Sequence, residues 1–245
     1  MDRILCIETG TDICSVALST DGTLLSLRES SEGRSHAQNL AVYVDEILRE
    51  NDLTCSDLSA VAISMGPGSY TGLRIGSSLA KGMCYAENIP LIAISTLQAL
   101  TVGALADFEA GLLKSETLEN RILAPMIDAR RMEVYTQLFT EKAESLTTVT
   151  AEVVTENSFT DFRDHDFIIF GDGAKKCADI LSVRSVILEN IAPSARNMTK
   201  LAYDKFLKKE FADIAYFEPL YLKDFIGTTK KKNPFEIPVQ RRKRL

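Results

Sequence analysis

The chain has 245 residues, 45% of them hydrophobic and 25% charged, with a mean hydropathy near zero. That balance excludes collagen-like, low-complexity and intrinsically disordered classes, and leaves room for one large domain or two of about 120 residues. The chain carries a net charge of −6, but residues 228–245 hold seven Lys or Arg against Glu236, so residues 1–227 carry −12. An acidic body does not grip a phosphate backbone, whereas a basic tail has the charge to do so.

The longest uncharged apolar stretch, residues 89–105, contains Pro90, Ser95, Thr96, Gln98, Thr101 and Gly103. It is too short and too polar to span a bilayer. The opening Met-Asp-Arg-Ile-Leu-Cys reads as a strand and not as a signal peptide, so a cytoplasmic protein without membrane attachment is expected. Five scattered cysteines lack a Cys-x-x-Cys pair, and His36 and His165 are the only histidines. A disulfide scaffold, a thiolate zinc site and an imidazole-built metal centre are therefore not expected.

Taken in chain order, the first elements alternate with a period of two. Ile4 to Ile7 and Cys14 to Ser19 precede Asp21-Gly22, then Thr23 to Leu27 follows. Asp-Gly between alternating runs predicts a type I′ hairpin, because both central residues need positive φ. The period then becomes 3.6. Leu40, Val44, Ile47 and Leu48 share one face of a helix starting near His36, with Ser35 as its N-cap. A strand at Ala60–Ser64 leads through Gly66-Pro67-Gly68-Ser69-Tyr70-Thr71-Gly72 into a helix from about Leu73 to Ala86. A strand at Pro90–Ile94 and a helix from Thr96 complete the first half.

The second half repeats this order. Ile122 to Phe139 reads as two strands about a turn, Thr147–Val154 as a third, and a short helix is expected near Ser158. Phe167–Phe170 ends in Gly171-Asp172-Gly173, a helix runs through Ile180, and a strand at Ser185–Leu188 precedes a long helix from Ser194 to Glu210. Each half places a carboxylate at the end of its first strand (Glu8, Asp128) and a Gly-x-Gly turn before a helix. The expected architecture is α/β with duplicated βββαβα lobes, residues 1–105 and 106–227, followed by a basic tail, 228–245.

Glycines at a strand-to-helix turn expose backbone N–H groups at the positive end of a helix dipole, which suits an anion. Neither the Walker nor the Rossmann spacing is present, so Gly66 to Gly72 reads either as a tight turn or as a phosphate contact. Glu8 and Asp128 either hold a hydrated cation in a nucleotide cleft or cap turns. Thr9, Gly66, Gly68, Ser69 and Thr71 complete the candidate nucleotide contacts. Gly72, Gly76, Ala80 and Cys84 form a stripe almost without side chains, beside Ile75, Leu79 and Met83. Another backbone can approach such a stripe closely, either the Leu40–Leu48 helix or another subunit. Ser15, Ser69 and Cys84 have no His–Asp partners nearby in sequence, so no nucleophilic triad is supported and no catalytic residue is assigned.

Gly66-Pro67-Gly68-Ser69-Tyr70-Thr71-Gly72-Leu73-Arg74-Ile75-Gly76 resembles the signature of the bacterial TsaB (YeaZ) family. The likeness extends to Ile7-Glu8-Thr9-Gly10-Thr11, Arg34-Ser35-His36, residues 90–97, residues 128–135 and Glu218-Pro219-Leu220-Tyr221-Leu222, and so covers about residues 3–225. It implies an ASKHA (actin/Hsp70-like) fold and an accessory, non-catalytic role in making threonylcarbamoyladenosine beside the anticodon of tRNAs reading codons that start with A. The implied partners are a TsaD-type transferase, a TsaE-type ATPase and tRNA, with a homodimer when the chain is alone.

TsaD-type proteins carry a metal-binding His-x-x-x-His whose positions here are Thr96 and Leu100, so the resemblance implies no metal and no protease activity. Glu8 stands where ATP-binding members of the fold carry Asp, which implies no tightly held nucleotide, with ATP or ADP confined to the complex. His36, Leu40, Val44, Ile47, Leu73, Gly76, Ala80 and Met83 are the implied partner interface, and Lys230, Lys231, Lys232, Arg241 and Arg242 the candidate tRNA contacts. The alternative is a free-standing ASKHA phosphotransferase or ATPase using Glu8, Asp128 and the two glycine turns.

Overall fold

The computed structural model describes residues 1–31, 36–111, 118, 120–162, 164–181 and 185–223. Ser35 and the whole basic tail lie outside these residues, including Lys230, Lys231, Lys232, Arg241 and Arg242. The first sheet contains β1 (Arg3–Glu8), β2 (Cys14–Thr20), β3 (Thr23–Ser30), β4 (Ala60–Gly66) and β5 (Leu91–Ser95), in the order β3-β2-β1-β4-β5. The second contains β6 (Arg121–Asp128), β7 (Glu133–Thr136), β8 (Thr150–Val153), β9 (Asp166–Phe170) and β10 (Ser185–Leu188), in the order β10-β9-β6-β7-β8. The two orders match strand for strand. In each, the first strand pairs antiparallel with the second and parallel with the fourth. The duplication expected from the sequence is therefore present.

Among the described residues, five helices cover the sheets: α1 (His36–Glu50), α2 (Tyr70–Glu87), α3 (Thr96–Glu109), α4 (Ala174–Leu181) and α5 (Thr199–Leu207). Asp21 and Gly22 take φ of 50° and 79°, the left-handed pair that the hairpin turn requires. Helix α2 begins earlier than its apolar period suggested, because the Ser69 side chain accepts the Gly72 N–H at 3.3 Å and caps it. The expected helix near Ser158 is a single 3-10 turn, Thr160–Phe162. Only residues 154–165 separate β8 from β9 there, too few for a counterpart of α1 with its connections. The long helix expected from Ser194 is a 3-10 turn, Ala195–Met198, followed by α5.

Strand β1 is buried on both faces, as a continuous apolar run allows. Leu5 and Ile7 face Leu40, Val44 and Ile47 of α1 and Ala80, Met83 and Cys84 of α2. Ile4 and Cys6, on the opposite face, meet Ala99 of α3 and Met198 and Ala202 near the chain's end. Leu97, Leu100 and Ala104 of α3 pack with Leu123, Ile168 and Phe170 of the second sheet. Helix α3 thus lies against both sheets, and α5 returns from the second half to the first sheet. The boundary expected at 105/106 falls inside α3 and does not separate two bodies. Nor does the second lobe keep residues 211–223 to itself. Ala212 pairs with Leu91, the Leu220 N–H reaches the Met65 carbonyl at 2.7 Å, and Ile214 and Phe217 pack on the first lobe's core.

Candidate functional site

Glu8 ends β1 entirely inside the protein. Its Oε1 accepts the Gly10 N–H at 2.6 Å, while Oε2 has no hydrogen-bond partner among the described residues. Burial raises the carboxyl to about 7, against the lowering effect of the Gly10 N–H, the Ser64 hydroxyl and the Thr9 N–H. Thr9 and Thr96, both fully buried, also hold hydroxyl oxygens without partners among the described residues. A Cβ on Gly10 would stand 2.9 Å from Glu8 Oε1 and 3.1 Å from Thr96 Oγ1, so Gly10, Glu8 and Thr96 share one enclosed polar spot.

The glycine loop closes directly over this spot. A Cβ on Gly68 would lie 2.1 Å from the Gly10 carbonyl oxygen, and one on Gly72 would lie 2.1 Å from that of Thr9. The Ser69 N–H donates to the Gly10 carbonyl at 2.6 Å. Gly66, with φ of 97°, packs against Leu73 and the Leu220 carbonyl. The space where this loop would have cradled a phosphate is occupied by the backbone of residues 9 and 10, and the residues present do not fit that group there. Gly66, Gly68 and Ser69 serve backbone-to-backbone packing, and Thr71 is exposed on the first turn of α2.

Asp128, the counterpart of Glu8, is exposed and has different neighbours. It pairs with Lys176, and its Oδ1 accepts the Arg130 N–H at 2.8 Å. Its own N–H donates to Asp172 at 2.9 Å. Among the described contacts, those of Glu8 and Asp128 have no residue in common. The second glycine turn also packs inward, with Gly171 against the Met126 carbonyl and Gly173 against residues 127 and 128. Burial pushes the Cys84 thiol up to about 11 and the Cys6 thiol up to about 12, which keeps both unreactive.

The expected interface residues face inward too. Leu73 and Ala80 are fully buried, and His36, Leu40, Val44, Ile47, Gly76 and Met83 are buried as well. Gly76 lies against the Thr9 side chain and Ile63, where a Cβ would meet Thr9 Oγ1 at 2.4 Å. These side chains are buried within the chain's own fold. The outward faces of α1 and α2 present Ala41, Val42, Ser78, Gly82 and Tyr85, with Tyr85 84% exposed and open space where a Gly82 Cβ would stand.

Sequence reasoning missed the seam closed by the last described residues. The Tyr221 ring lies 4.6 Å from that of Tyr70, Arg74 sits 5.4 Å above Tyr70, and Lys223 pairs with Glu133 and reaches the Ala129 carbonyl at 3.3 Å. It also missed a tie between lobes, in which Ser194 donates to Glu29 at 2.7 Å and Ser15 accepts the Ala195 N–H at 3.0 Å. Hydrogen bonds spanning more than 150 residues leave no local periodicity. The only signal for the seam was the pattern Glu218-Pro219-Leu220-Tyr221 itself.

Comparison with known proteins gives one answer. The family model described as TsaD, tRNA N6-adenosine threonylcarbamoyltransferase, matches residues 30–224. The tRNA threonylcarbamoyladenosine biosynthesis protein TsaB of Escherichia coli K12 is 30% identical over 93% of this chain and 97% of its own length. The protein of the same name from Haemophilus influenzae is 29% identical over 94% and 97%. The structure of YeaZ from Pseudomonas aeruginosa superposes with a TM-score of 0.76 at 26% identity, covering 91% of this chain and all of that one. Matching from the first strands to the closing seam, in both sequence and lobe topology, the chain belongs to the TsaB (YeaZ) family of tRNA threonylcarbamoyladenosine biosynthesis proteins.

Proposed function

We propose that the protein is a non-catalytic subunit that docks on a TsaD-type transferase and supports its modification of tRNA. The observation that carries the non-catalytic half is the closure of Gly68 and Gly72 onto residues 9 and 10, which fills the place a phosphate would need. Glu8 supports it, since an enclosed carboxyl raised to about 7 is poorly suited to holding a hydrated cation. In this reading no nucleotide is held tightly by the chain alone, ATP or ADP belongs to the assembled complex, and a TsaE-type ATPase completes it.

Docking uses the outward faces of α1 and α2, where small residues at Ala41, Ser78 and Gly82 allow close helix approach and Val42 and Tyr85 add apolar contact. The same face accounts for a homodimer when the transferase is absent. The basic residues at 230–232 and 241–244 supply a salt-sensitive contact to tRNA.

Reconstituted modification of tRNA with and without this chain tests the reading. Omitting it should lower the rate at least about tenfold, a loss of about 1.4 kcal/mol in transition-state stabilisation or more. Gly82→Arg should abolish co-purification with the TsaD-type partner while leaving the melting temperature unchanged or higher, because Arg is the better helix former. Full-rate modification without the chain would refute the proposal. Sustained Mg-ATP turnover by the purified chain would favour a phosphotransferase instead.

A further inference from the structure

The segment after α5 returns along one flank of α2. Lys81 donates to the Ala215 carbonyl at 3.3 Å and to the Phe217 carbonyl at 3.1 Å, and the Tyr221 ring meets that of Tyr70 at 4.6 Å. From Lys81 back to Tyr70 the helix rises about 16 Å. An extended chain covers about 16 Å from Tyr216 to Tyr221. The segment therefore runs antiparallel to α2 over this length and widens the surface beside the outward face of that helix.

Tyr216 sits on a built turn of this segment. Asp213 Oδ1 accepts the Ala215 N–H at 2.8 Å and the Tyr216 N–H at 3.2 Å, and the Phe217 N–H donates to the Asp213 carbonyl at 2.8 Å. Ile214 and Phe217 pack on the core. The backbone of Tyr216 is thus fixed, yet the residue is 85% exposed. Tyr85 is 84% exposed and lies one turn beyond Lys81 on the same side of α2. Because Lys81 holds the carbonyls on both sides of Tyr216, the two tyrosines flank the same stretch of the seam.

Apart from Met1, no other large hydrophobic side chain among the described residues is as exposed as these two. A ring left in water adds no burial to the fold, and two beside one seam concentrate apolar area on one face. Tyrosine is enriched at the energetic centres of protein interfaces, where a rigid ring gives large contact area and its hydroxyl finds a partner. A backbone already fixed before binding lowers the entropy cost of contact. Size points the same way. Two packed helices about 27 Å long present about 500 Å² in projection, and the returning segment raises this to about 700 Å², close to the roughly 800 Å² a side of a stable interface.

We propose that the docking face for the TsaD-type partner extends from α1 and α2 onto the segment after α5, with Tyr85 and Tyr216 as its aromatic anchors. The proposal rests on the reading that the outward faces of α1 and α2 dock the transferase, and it adds a third element and a specific side chain to that contact.

The test is the affinity of the full chain for the purified TsaD-type partner, measured by biolayer interferometry, with sedimentation of the chain alone as a control. Tyr216→Ala should weaken the complex at least about tenfold, whereas Tyr216→Phe, which keeps the ring, should stay within about threefold of the parent. Both variants should melt within about 2 °C of the parent, because the side chain is exposed. If Tyr216→Ala binds the partner as the parent does while Gly82→Arg does not bind, this inference falls and the helix-face reading stands. If Gly82→Arg binds as the parent does, the helix-face reading falls and the Tyr216 variants still judge the returning segment. Loss of self-association in Tyr216→Ala with partner affinity intact would also overturn the proposal, and would assign the segment to a contact between copies of this chain.

Discussion

Glu8 was legible in the sequence as a strand-ending carboxylate, but its chemistry was not. A carboxylate at the same point of the repeat, Asp128, is solvated and paired with Lys176, whereas Glu8 is sealed beneath Gly10 with one oxygen unpartnered among the described residues. The difference arises from what lies above each strand end, which no local pattern records. Because the folded carboxyl is raised to about 7 from an ordinary 4.5, it stabilises the fold fully below about pH 4.5, and that contribution is lost as pH rises through 7. Glu8→Gln should remove this loss. Thermal denaturation should show the variant gaining on the parent by up to about 3 kcal/mol between pH 5 and pH 8. A constant difference across that range would mean that Glu8 is ionised throughout.

At the scale of elements, α2 shows how one stripe can meet two neighbours. Gly72 and Gly76 mark a close approach to the loop after β1, while Ala80 and Cys84 share a core cluster with Leu40, Val44 and Ile47 of α1. Periodicity states that a face is buried and leaves open what buries it. Glycines within the one helix therefore differ in sign. Gly72→Ala should destabilise by about 1–3 kcal/mol, because its Cβ meets a backbone oxygen that cannot turn away. Gly82→Ala, facing open space, should stabilise by about 0.5–1 kcal/mol. Melting temperatures of the two variants moving in the same direction would contradict this assignment of faces.

For the whole molecule, the two repeats do not fold back into two separate bodies. Helix α3 lies against both sheets, α5 crosses to the first sheet, and Lys205 reaches the Ala93 carbonyl at 2.9 Å. The segment after α5 then straps the first lobe, with Lys81 donating to the Phe217 carbonyl at 3.1 Å over a packed Phe217. A chain ending at Ala212 loses the packing of Ile214 and Phe217 and should melt about 6–12 °C lower, corresponding to about 3 kcal/mol. A chain ending at Lys223, which keeps the strap, is the reference for that drop. Equal melting of both truncations would show that the strap contributes nothing to stability.

The order of elements along the chain, the duplication and the family all follow from the amino-acid sequence, because alternating and helical periods, the Asp-Gly turn and an eleven-residue signature are local features. The direction of each buried face, the closure of the glycine loop over residues 9 and 10, and the meetings of Tyr70 with Tyr221 and of Lys223 with Ala129 were decided only by tertiary structure. Those contacts join positions far apart in the chain, and what a side chain does there depends on the backbone or charge that arrives beside it.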